Sequence, residues 1–186
     1  MEKKTQENLA KAFVGESQAR NKYTFFSSVA KKEGFEQISY IFQETADNEK
    51  EHAKKLFKLL GEISINIPTS VGSGIGDTKT NLQHAAEGEK YEWGTMYPDF
   101  EKEAREENEV EAADLFKELA EVEKEHEKRY LKLLENVKNN KVFKKDEPTK
   151  WRCRNCGYVY EGTEAPNLCP ACKHPQAYYE VLAENY

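Results

Sequence analysis

An internal repeat is the feature of this sequence that most restricts its fold. The string NLAKAFVGE, starting at Asn8, matches NLQHAAEGE, starting at Asn81, at an offset of 73 residues. A longer string starting at Ala30 matches one starting at Ala104 at an offset of 74 residues, and it contains NEKEHAKK in the first copy and VEKEHEKR in the second. Both copies have helical periodicity, so the repeat indicates that a first pair of helices is duplicated as a second pair.

Hydrophobic periodicity predicts helices in residues 1 to about 136. Apolar and small residues recur every three or four positions, and Gly34 and Gly61 are plausible helix stops. Pro98 predicts that the third helix is kinked or loosened there. The predicted helices cover approximately residues 5–32, 35–60, 80–107 and 109–137.

The remaining segments suggest how these helices are arranged. Residues 61–78, GEISINIPTSVGSGIGDT, are rich in Gly, Ser and Pro and are predicted to form a long connection. Short first and last connections with a long middle one are typical of a four-helix bundle with a crossover. We therefore expect a mainly α protein with a bundle over residues 1–137, a polar linker over 138–150 and a small domain over 151–186.

Charge and hydropathy exclude several classes of function. The net charge of -6 argues against a nucleic-acid partner, because neutralising phosphates requires a basic surface. No apolar run reaches the roughly 18–20 residues of a membrane span, and the start MEKKTQENLA lacks the apolar core of a signal peptide. We expect a soluble cytoplasmic protein.

Glu-x-x-His occurs once in each half of the repeat. Residues three apart on a helix differ by about 60° in direction, so each Glu and its His share a helix face. If the halves pack about a pseudo-twofold axis, four carboxylates and two imidazoles converge, which is the ligand set of a di-iron or di-manganese site. Two divalent ions would balance the four buried carboxylates. The candidate ligands are Glu16, Glu49, His52, Glu89, Glu123 and His126.

An alternative interpretation is that these glutamates are solvated surface charges. It suits any single Glu of this Glu-rich chain, but it does not explain the whole set repeated in register. Glu92 breaks the symmetry, because it shares a face with Glu89 and its counterpart in the first half is Gln18 or Ala19. Tyr23 and Tyr97 occupy matching places at an offset of 74, where they either hydrogen-bond near the cluster or simply pack.

The C-terminal segment carries all four cysteines as C-x2-C-x12-C-x2-C. Two such pairs give tetrahedral coordination of zinc or of a single iron, and the spacing does not choose between the two metals. A disulfide pairing is disfavoured in a reducing compartment, and His174 is interpreted as a surface residue. A tail of about 36 residues is too small to fold on an apolar core alone, so a metal would stabilise it. The predicted ligands are Cys153, Cys156, Cys169 and Cys172.

Together these motifs resemble the rubrerythrin family. The resemblance rests on GESQARN around Glu16, DNEKEHA around His52, GEKYEW around Glu92, and the knuckles Cys-x-x-Cys-Gly-Tyr and Cys-Pro-x-Cys, and it covers essentially the whole chain. It implies a ferritin-like di-iron bundle with a C-terminal rubredoxin-like module that holds one tetrathiolate iron. It also implies that Glu92 joins the six di-iron ligands, that Glu49 and Glu123 bridge, and that Glu92 exchanges with His52 on reduction.

The family's activity is the expected function. The resemblance implies a peroxidase that reduces hydrogen peroxide to water in oxidative-stress protection, with Glu92 and His52 as catalytic residues. Electrons would be relayed through the tetrathiolate iron from a rubredoxin or a separate NAD(P)H-dependent reductase, and the chain would form a homodimer or larger homo-oligomer. The alternatives are an iron-storage-like ferroxidase, an oxygen-reducing di-iron oxidase, or a tail that is a zinc ribbon with no redox role.

Overall fold

The computed structural model describes residues 1–72 and 74–185. A π-helical turn, Glu92–Met96, joins the third α-helix directly to the fourth. The predicted mainly α architecture with a four-helix bundle is confirmed, since the third bundle helix consists of two α-helical pieces and this turn. In this part of the chain the α-helices are α1 (Lys3–Lys32), α2 (Glu36–Leu60), α3 (Thr78–Tyr91), α4 (Tyr97–Glu106) and α5 (Val110–Lys138).

The predicted crossover connects α2 to α3. Residues 61–77, leaving aside Ser73, which lies outside the described residues, contain neither helix nor strand. Asp77 ends the connection as the N-cap of α3, and its carboxylate accepts a hydrogen bond of 2.8 Å from the backbone N–H of Thr80. No helix in the described residues is both long enough and apolar enough to cross a membrane.

The two halves of the bundle cap each other's first helix. Glu107, between α4 and α5, accepts hydrogen bonds of 2.8 Å from the backbone N–H and 2.5 Å from the hydroxyl of Thr5 at the start of α1. Glu33, between α1 and α2, accepts a hydrogen bond of 3.0 Å from the backbone N–H of Thr78 at the start of α3. Each carboxylate satisfies an N–H that has no partner within its own helix, and it complements the positive helix end. The capping therefore follows the pseudo-twofold relation of the sequence repeat.

Two apolar clusters fill the bundle. One includes Phe42 and Tyr130, the other includes Leu9 and Phe116, and all four side chains are fully buried. Burying a side chain of this size contributes about 1.5–3 kcal/mol in transfer free energy. On each bundle helix the predicted ligands lie between residues of one cluster and residues of the other, so apolar packing excludes water from both ends of the predicted site.

The predicted kink at Pro98 is replaced by the π-helical turn just before it. Glu16 and Tyr23 are separated by seven positions, whereas their counterparts Glu89 and Tyr97 are separated by eight. The one-residue insertion is absorbed by the turn, in which the backbone N–H of Tyr97 bonds to the carbonyl of Glu92. A π-turn accommodates one extra residue without breaking the helix. Pro98 itself lies in the first turn of α4.

The C-terminal residues form a small antiparallel sheet. The strand that comes first in the chain lies between the other two, and a cluster around buried Trp151 packs beneath the sheet. The indole N–H of Trp151 donates a hydrogen bond of 2.8 Å to the carbonyl of Gly162, so the ring is fixed as well as buried. The strands are β1 (Lys144–Cys153), β2 (Val159–Glu164) and β3 (Tyr179–Val181).

The first strand begins inside the segment predicted to be a linker. Lys144 pairs with Glu164, and a β-bulge separates this pair from the regular ladder that starts at Thr149. The side chains of this part of β1 are mostly exposed, so composition alone could not distinguish it from a linker. The domain boundaries at residues 137 and 151 stay predictions.

The tail contacts the bundle near the start of α2. The rings of Phe35 and Phe143 stack with their centroids 6.1 Å apart. The guanidinium of Arg154 lies 4.6 Å from the ring centroid of Tyr40, a cation–π distance. Glu180, which is buried, accepts hydrogen bonds from both Arg152 and Arg154. The bond from Arg154 holds its guanidinium against Tyr40.

Candidate metal centres

The bundle brings six of the seven predicted di-iron ligands together. In each of two groups, one ligand atom from every residue lies within 4.8 Å of the others. Glu49 and Glu123 belong to both groups, so they lie between the two candidate metal positions. The groups are Glu16, Glu49, His52 and Glu123, and Glu49, Glu89, Glu123 and His126.

The two imidazoles have equivalent surroundings. The Nδ1 atom of His52 lies 2.9 Å from Glu49 and 3.1 Å from Glu123. The Nδ1 atom of His126 lies 2.8 Å from Glu123 and 3.3 Å from Glu49. The His52 and His126 ring centroids are 6.1 Å apart. One imidazole therefore stands at each end of the pair of shared carboxylates, as the repeat predicts.

Burial and mutual repulsion make the carboxylates a strong site for cations. Burial raises the pKa of Glu49 and Glu89 well above the usual range, and the neighbouring carboxylates raise it further. Burial alone would lower the pKa of His52, but the nearby carboxylates of Glu123, Glu16 and Glu49 outweigh burial and raise it well above its ordinary value. A positive charge is thus strongly favoured among these oxygens.

Several of these atoms are also buried without a hydrogen bond of acceptable geometry among the described residues, despite the short nitrogen–oxygen distances above. They include both carboxylate oxygens of Glu49 and of Glu123, one oxygen of Glu89, and Nδ1 of His126. Orphaned buried acceptors cost free energy unless they are paired or bind a metal. Two divalent cations would satisfy these atoms and balance the four carboxylate charges, so the residues present fit a dinuclear metal centre.

Tyr23 and Tyr97 hydrogen-bond to the cluster, which decides between the two interpretations of their matched positions. The hydroxyl of Tyr23 donates to Glu89 at 2.7 Å, and the hydroxyl of Tyr97 donates to Glu16. Burial, followed by the charge of the nearby glutamate, raises the pKa of each tyrosine well above its usual value. Both phenols therefore keep their protons at neutral pH and act as donors.

Glu92 is the one predicted bundle ligand outside both groups. Its Oε1 atom lies 4.0 Å from the position that a Cβ atom on Gly15 would occupy, so the carboxylate is directed towards the backbone of α1. His52, in contrast, lies within the first group. The structure therefore has His52 in the cluster and Glu92 beside it, and the ligand role of Glu92 stays a prediction.

The four cysteines form the second candidate centre. Their sulfur atoms lie within 4.8 Å of one another, and the Cys153–Cys172 and Cys156–Cys169 Sγ–Sγ distances are both 3.7 Å. A tetrahedral ion with metal–sulfur bonds of about 2.3 Å has sulfur–sulfur edges of about 3.8 Å. A disulfide needs about 2.05 Å, and all four cysteines are free. The geometry therefore fits a tetrathiolate metal site.

Both cysteine knuckles have the same backbone form. Gly157 and Lys173 have φ values of 81° and 63°, and their N–H groups donate to the carbonyls of Cys153 and Cys169 at 2.9 Å. A left-handed lysine costs about 1–2 kcal/mol relative to glycine, so the turn is enforced by its surroundings. The backbone N–H of His174 lowers the pKa of Cys172 to about 6, which favours the thiolate that a metal requires.

Sequence reasoning missed the contacts that support the two sites. The π-turn carrying Glu92 was detectable only as the change of repeat offset from 73 to 74. The indole N–H of Trp93, in the same turn, donates to Glu127 on α5 at 2.7 Å. Nothing in the local sequence pairs these two residues, because the contact depends on how α3 and α5 pack.

Comparison with known proteins supports this picture across the whole chain. The family model described as Rubrerythrin matches residues 7–134, and the model described as Rubrerythrin, rubredoxin-like domain matches residues 151–180. Rubrerythrin-1 of Clostridium acetobutylicum is 57% identical over 189 residues, covering 98% of this chain and 96% of the relative. Rubrerythrin of Porphyromonas gingivalis is 53% identical over 184 residues, covering 98% and 92%.

A solved structure agrees. The fully reduced, all-ferrous state of nigerythrin superposes with a TM-score of 0.67 at 32% identity, covering 98% of this chain and 88% of that one. The fold and the carboxylate–histidine cluster define a ferritin-like dinuclear metal protein fused to a rubredoxin-like module. Its cofactors are a di-iron centre in the bundle and one iron at the four cysteines. The chain belongs to the rubrerythrin family, a family of oxidoreductases.

Proposed function

We propose that this protein is a peroxidase that reduces hydrogen peroxide to two waters and protects against oxidative stress. The observation that carries the proposal is that one chain contains a dinuclear site and a separate four-sulfur site. Reduction of one peroxide consumes two electrons and two protons, which matches a two-metal site. A single tetrathiolate iron carries one electron at a time, so its role in this proposal is to relay electrons to the bundle.

The assignment of individual ligands belongs to the same proposal. Glu16, Glu89, Glu92 and the two histidines are assigned as terminal ligands and Glu49 and Glu123 as bridges, with the four cysteines holding the third iron. The membership of Glu49 and Glu123 in both groups supports their bridging role. Glu92 and His52 are assigned to exchange with the oxidation state, and the placement of His52 inside the cluster with Glu92 beside it is one of the two expected arrangements.

The protein's own residues prepare the site for this chemistry. When bound, the iron pair supplies two electrons and Lewis-acid stabilisation of the departing oxygen. The hydroxyls of Tyr23 and Tyr97 hold Glu89 and Glu16 in place by donating hydrogen bonds to them. The two apolar clusters on either side of the site exclude bulk water, which strengthens the electrostatic interactions inside.

The remaining assignments concern partners and location. The sequence contains no Gly-x-Gly-x-x-Gly stretch, so an NAD(P)H-dependent reductase is assigned as a separate protein, acting directly or through a rubredoxin. The tail contacts α2 at Tyr40, roughly nine residues or about 14 Å of helix before Glu49. A homodimer or larger oligomer, in which the tail of one copy serves another, is assigned from the family resemblance. The proposed location is the cytoplasm.

Anaerobic stopped-flow tests the function. The fully reduced, iron-loaded protein is mixed separately with hydrogen peroxide and with oxygen, and the thiolate–iron absorbance is followed. Rapid return of colour with peroxide and slower return with oxygen supports a peroxidase with an internal relay. Faster oxidation by oxygen favours an oxidase or ferroxidase instead. Oxidation of the bundle while the tail stays reduced contradicts the relay.

A further inference from the structure

The position of Glu92 depends on an irregular part of the bundle. Glu92 begins the π-helical turn Glu92–Met96, which holds one residue more than a regular α-helix would. The backbone hydrogen bonds of a π-turn span five residues rather than the four of an α-helix. Such turns therefore occur singly and depend on contacts with their surroundings. A shift of the extra residue along the helix would change the direction in which the Glu92 side chain points.

Trp93, the next residue, connects this turn to α5. Its indole N–H donates a hydrogen bond of 2.7 Å to Oε2 of Glu127. The side chain of Glu127 is only 14% exposed, so solvent weakens the bond little. Glu127 directly follows His126, a member of the second candidate metal group. The bond therefore joins the neighbour of one predicted ligand to the neighbour of another.

Two lysines complete the contact. Lys90 of α3 lies 4.7 Å from the centroid of the Trp93 ring, and its Nζ atom is 3.9 Å from Oε1 of Glu127. Lys124 of α5 lies 5.8 Å from the same centroid. These are cation–π distances, so two cations lie close to the ring while its N–H donates to the carboxylate. Helix α3, the π-turn and α5 are thereby joined at one point.

Glu92 and Trp93 extend towards different neighbours. Consecutive helical residues point roughly 100° apart, and here Glu92 is directed towards Gly15 of α1 whereas Trp93 is directed towards Glu127 of α5. Moving the extra residue along the helix would carry Trp93 out of reach of Glu127. The indole bond therefore opposes the movement that would misplace Glu92.

We propose that Trp93 is a positioning residue whose bond to Glu127 fixes the π-turn and thereby the direction of Glu92. This rests on the proposed function insofar as Glu92 is taken as an iron ligand. The effect on the turn itself does not depend on which oxidant the enzyme uses.

Hydrogen–deuterium exchange of the peptide covering residues 92–97 tests the proposal directly. Trp93→Phe keeps an aromatic ring between the lysines and removes the N–H donor. A hydrogen bond to a charged acceptor contributes about 1.5–3 kcal/mol, so exchange in this peptide should accelerate roughly tenfold or more. Glu127→Ala should accelerate it similarly, and the double variant should be no faster than the faster single variant, because both remove one bond.

Tyr91→Phe is the matched control. Tyr91 is 59% exposed and immediately precedes the turn, so this aromatic substitution should leave exchange unchanged. Equal exchange in Trp93→Phe and the wild type would overturn the proposal. Acceleration spread evenly over all bundle peptides would also overturn it, because that result indicates general destabilisation.

Mössbauer spectra of the oxidised, iron-57-loaded protein give a readout that a merely structural role would not change. In Trp93→Phe the signal of one bundle iron should change, whereas those of the other bundle iron and of the tetrathiolate iron should stay, since only one end of the dinuclear site faces Glu92. Two unchanged doublets would contradict the role of Trp93 in positioning Glu92. The measurement uses no peroxide, so it is independent of whether the protein proves to be a peroxidase.

Discussion

The hydroxyl groups of Tyr23 and Tyr97 offer a sharp test of how the protein supports its carboxylate cluster. Each hydroxyl is buried and donates a hydrogen bond to a carboxylate of the cluster, at 2.7 Å in the case of Tyr23. Replacing tyrosine by phenylalanine keeps the ring and opens no large cavity. The change therefore isolates one hydrogen bond at each end of the site.

The expected loss of folding stability follows from the charge of the carboxylate that accepts each hydrogen bond. A hydrogen bond to a charged group contributes about 1.5–3 kcal/mol to stability. Unfolding entropies of about 2.1 cal/mol/K per residue give roughly 0.3–0.4 kcal/mol/K for a chain of this size. Tyr23→Phe and Tyr97→Phe should therefore each lower the melting temperature of the iron-loaded protein by about 4–10 °C, as measured by anaerobic circular dichroism at 222 nm.

Tyr130→Phe provides the matched control. Tyr130 is fully buried, and its hydroxyl has no hydrogen-bond partner among the described residues. Removing an unsatisfied hydroxyl is neutral or stabilising, so this variant should melt at or above the wild-type temperature. If all three variants melt together, the two hydroxyls contribute nothing to the cluster and the reasoning fails.

Two further predictions concern the caps and the tail. The hydrogen bond from Thr5 lowers the pKa of Glu107 in the folded state below its ordinary 4.5, so this carboxylate stabilises the fold above that pH and stops doing so as the pH falls through the lowered value. The urea midpoints of the wild type and Glu107→Gln should differ at pH 7 and converge as the pH falls below 4.5 and through the lowered pKa. Glu106→Gln, at an exposed neighbour, should show no such convergence, and a constant gap for Glu107→Gln would contradict the linkage. Cys169→Ser should abolish metal binding by the tail and make residues after 143 sensitive to protease, while the ellipticity of the bundle is kept. Leu168→Ser, at a 55% exposed neighbour, should leave the tail resistant to protease. A resistant tail in Cys169→Ser would show that the metal does not hold the tail folded.

The bundle could be predicted well because the residues that define it recur at regular intervals along the sequence. Apolar spacing predicted the helices, and the duplicated Glu-x-x-His predicted which carboxylates and imidazoles would meet. The predicted boundaries lie within about three residues of those observed, except where the third helix is interrupted. Six of the predicted bundle residues lie close together, as do the four cysteines, and their individual ligand roles stay predictions.

The features that were not predicted depend on contacts between distant segments. The pairing of Glu33 with Thr78 and of Trp93 with Glu127 joins residues on different helices, and no local pattern encodes such a contact. The interruption of the third helix was predicted at Pro98 because proline is the strongest local signal of a kink, whereas the observed π-turn accommodates one inserted residue just before it. The start of β1 resembled a linker because its exposed side chains are polar.

The exchange of caps between the halves has a consequence for the way the chain is held together. Each helical hairpin leaves the start of its first helix to be completed by the other, and each contributes only half of the cluster. A single hairpin of this kind is therefore incomplete by itself but complementary to a copy of itself. Residues 61–77 then serve as a covalent tether between two subunit-like pieces, and the bundle corresponds to a symmetric dimer that has been joined into one chain.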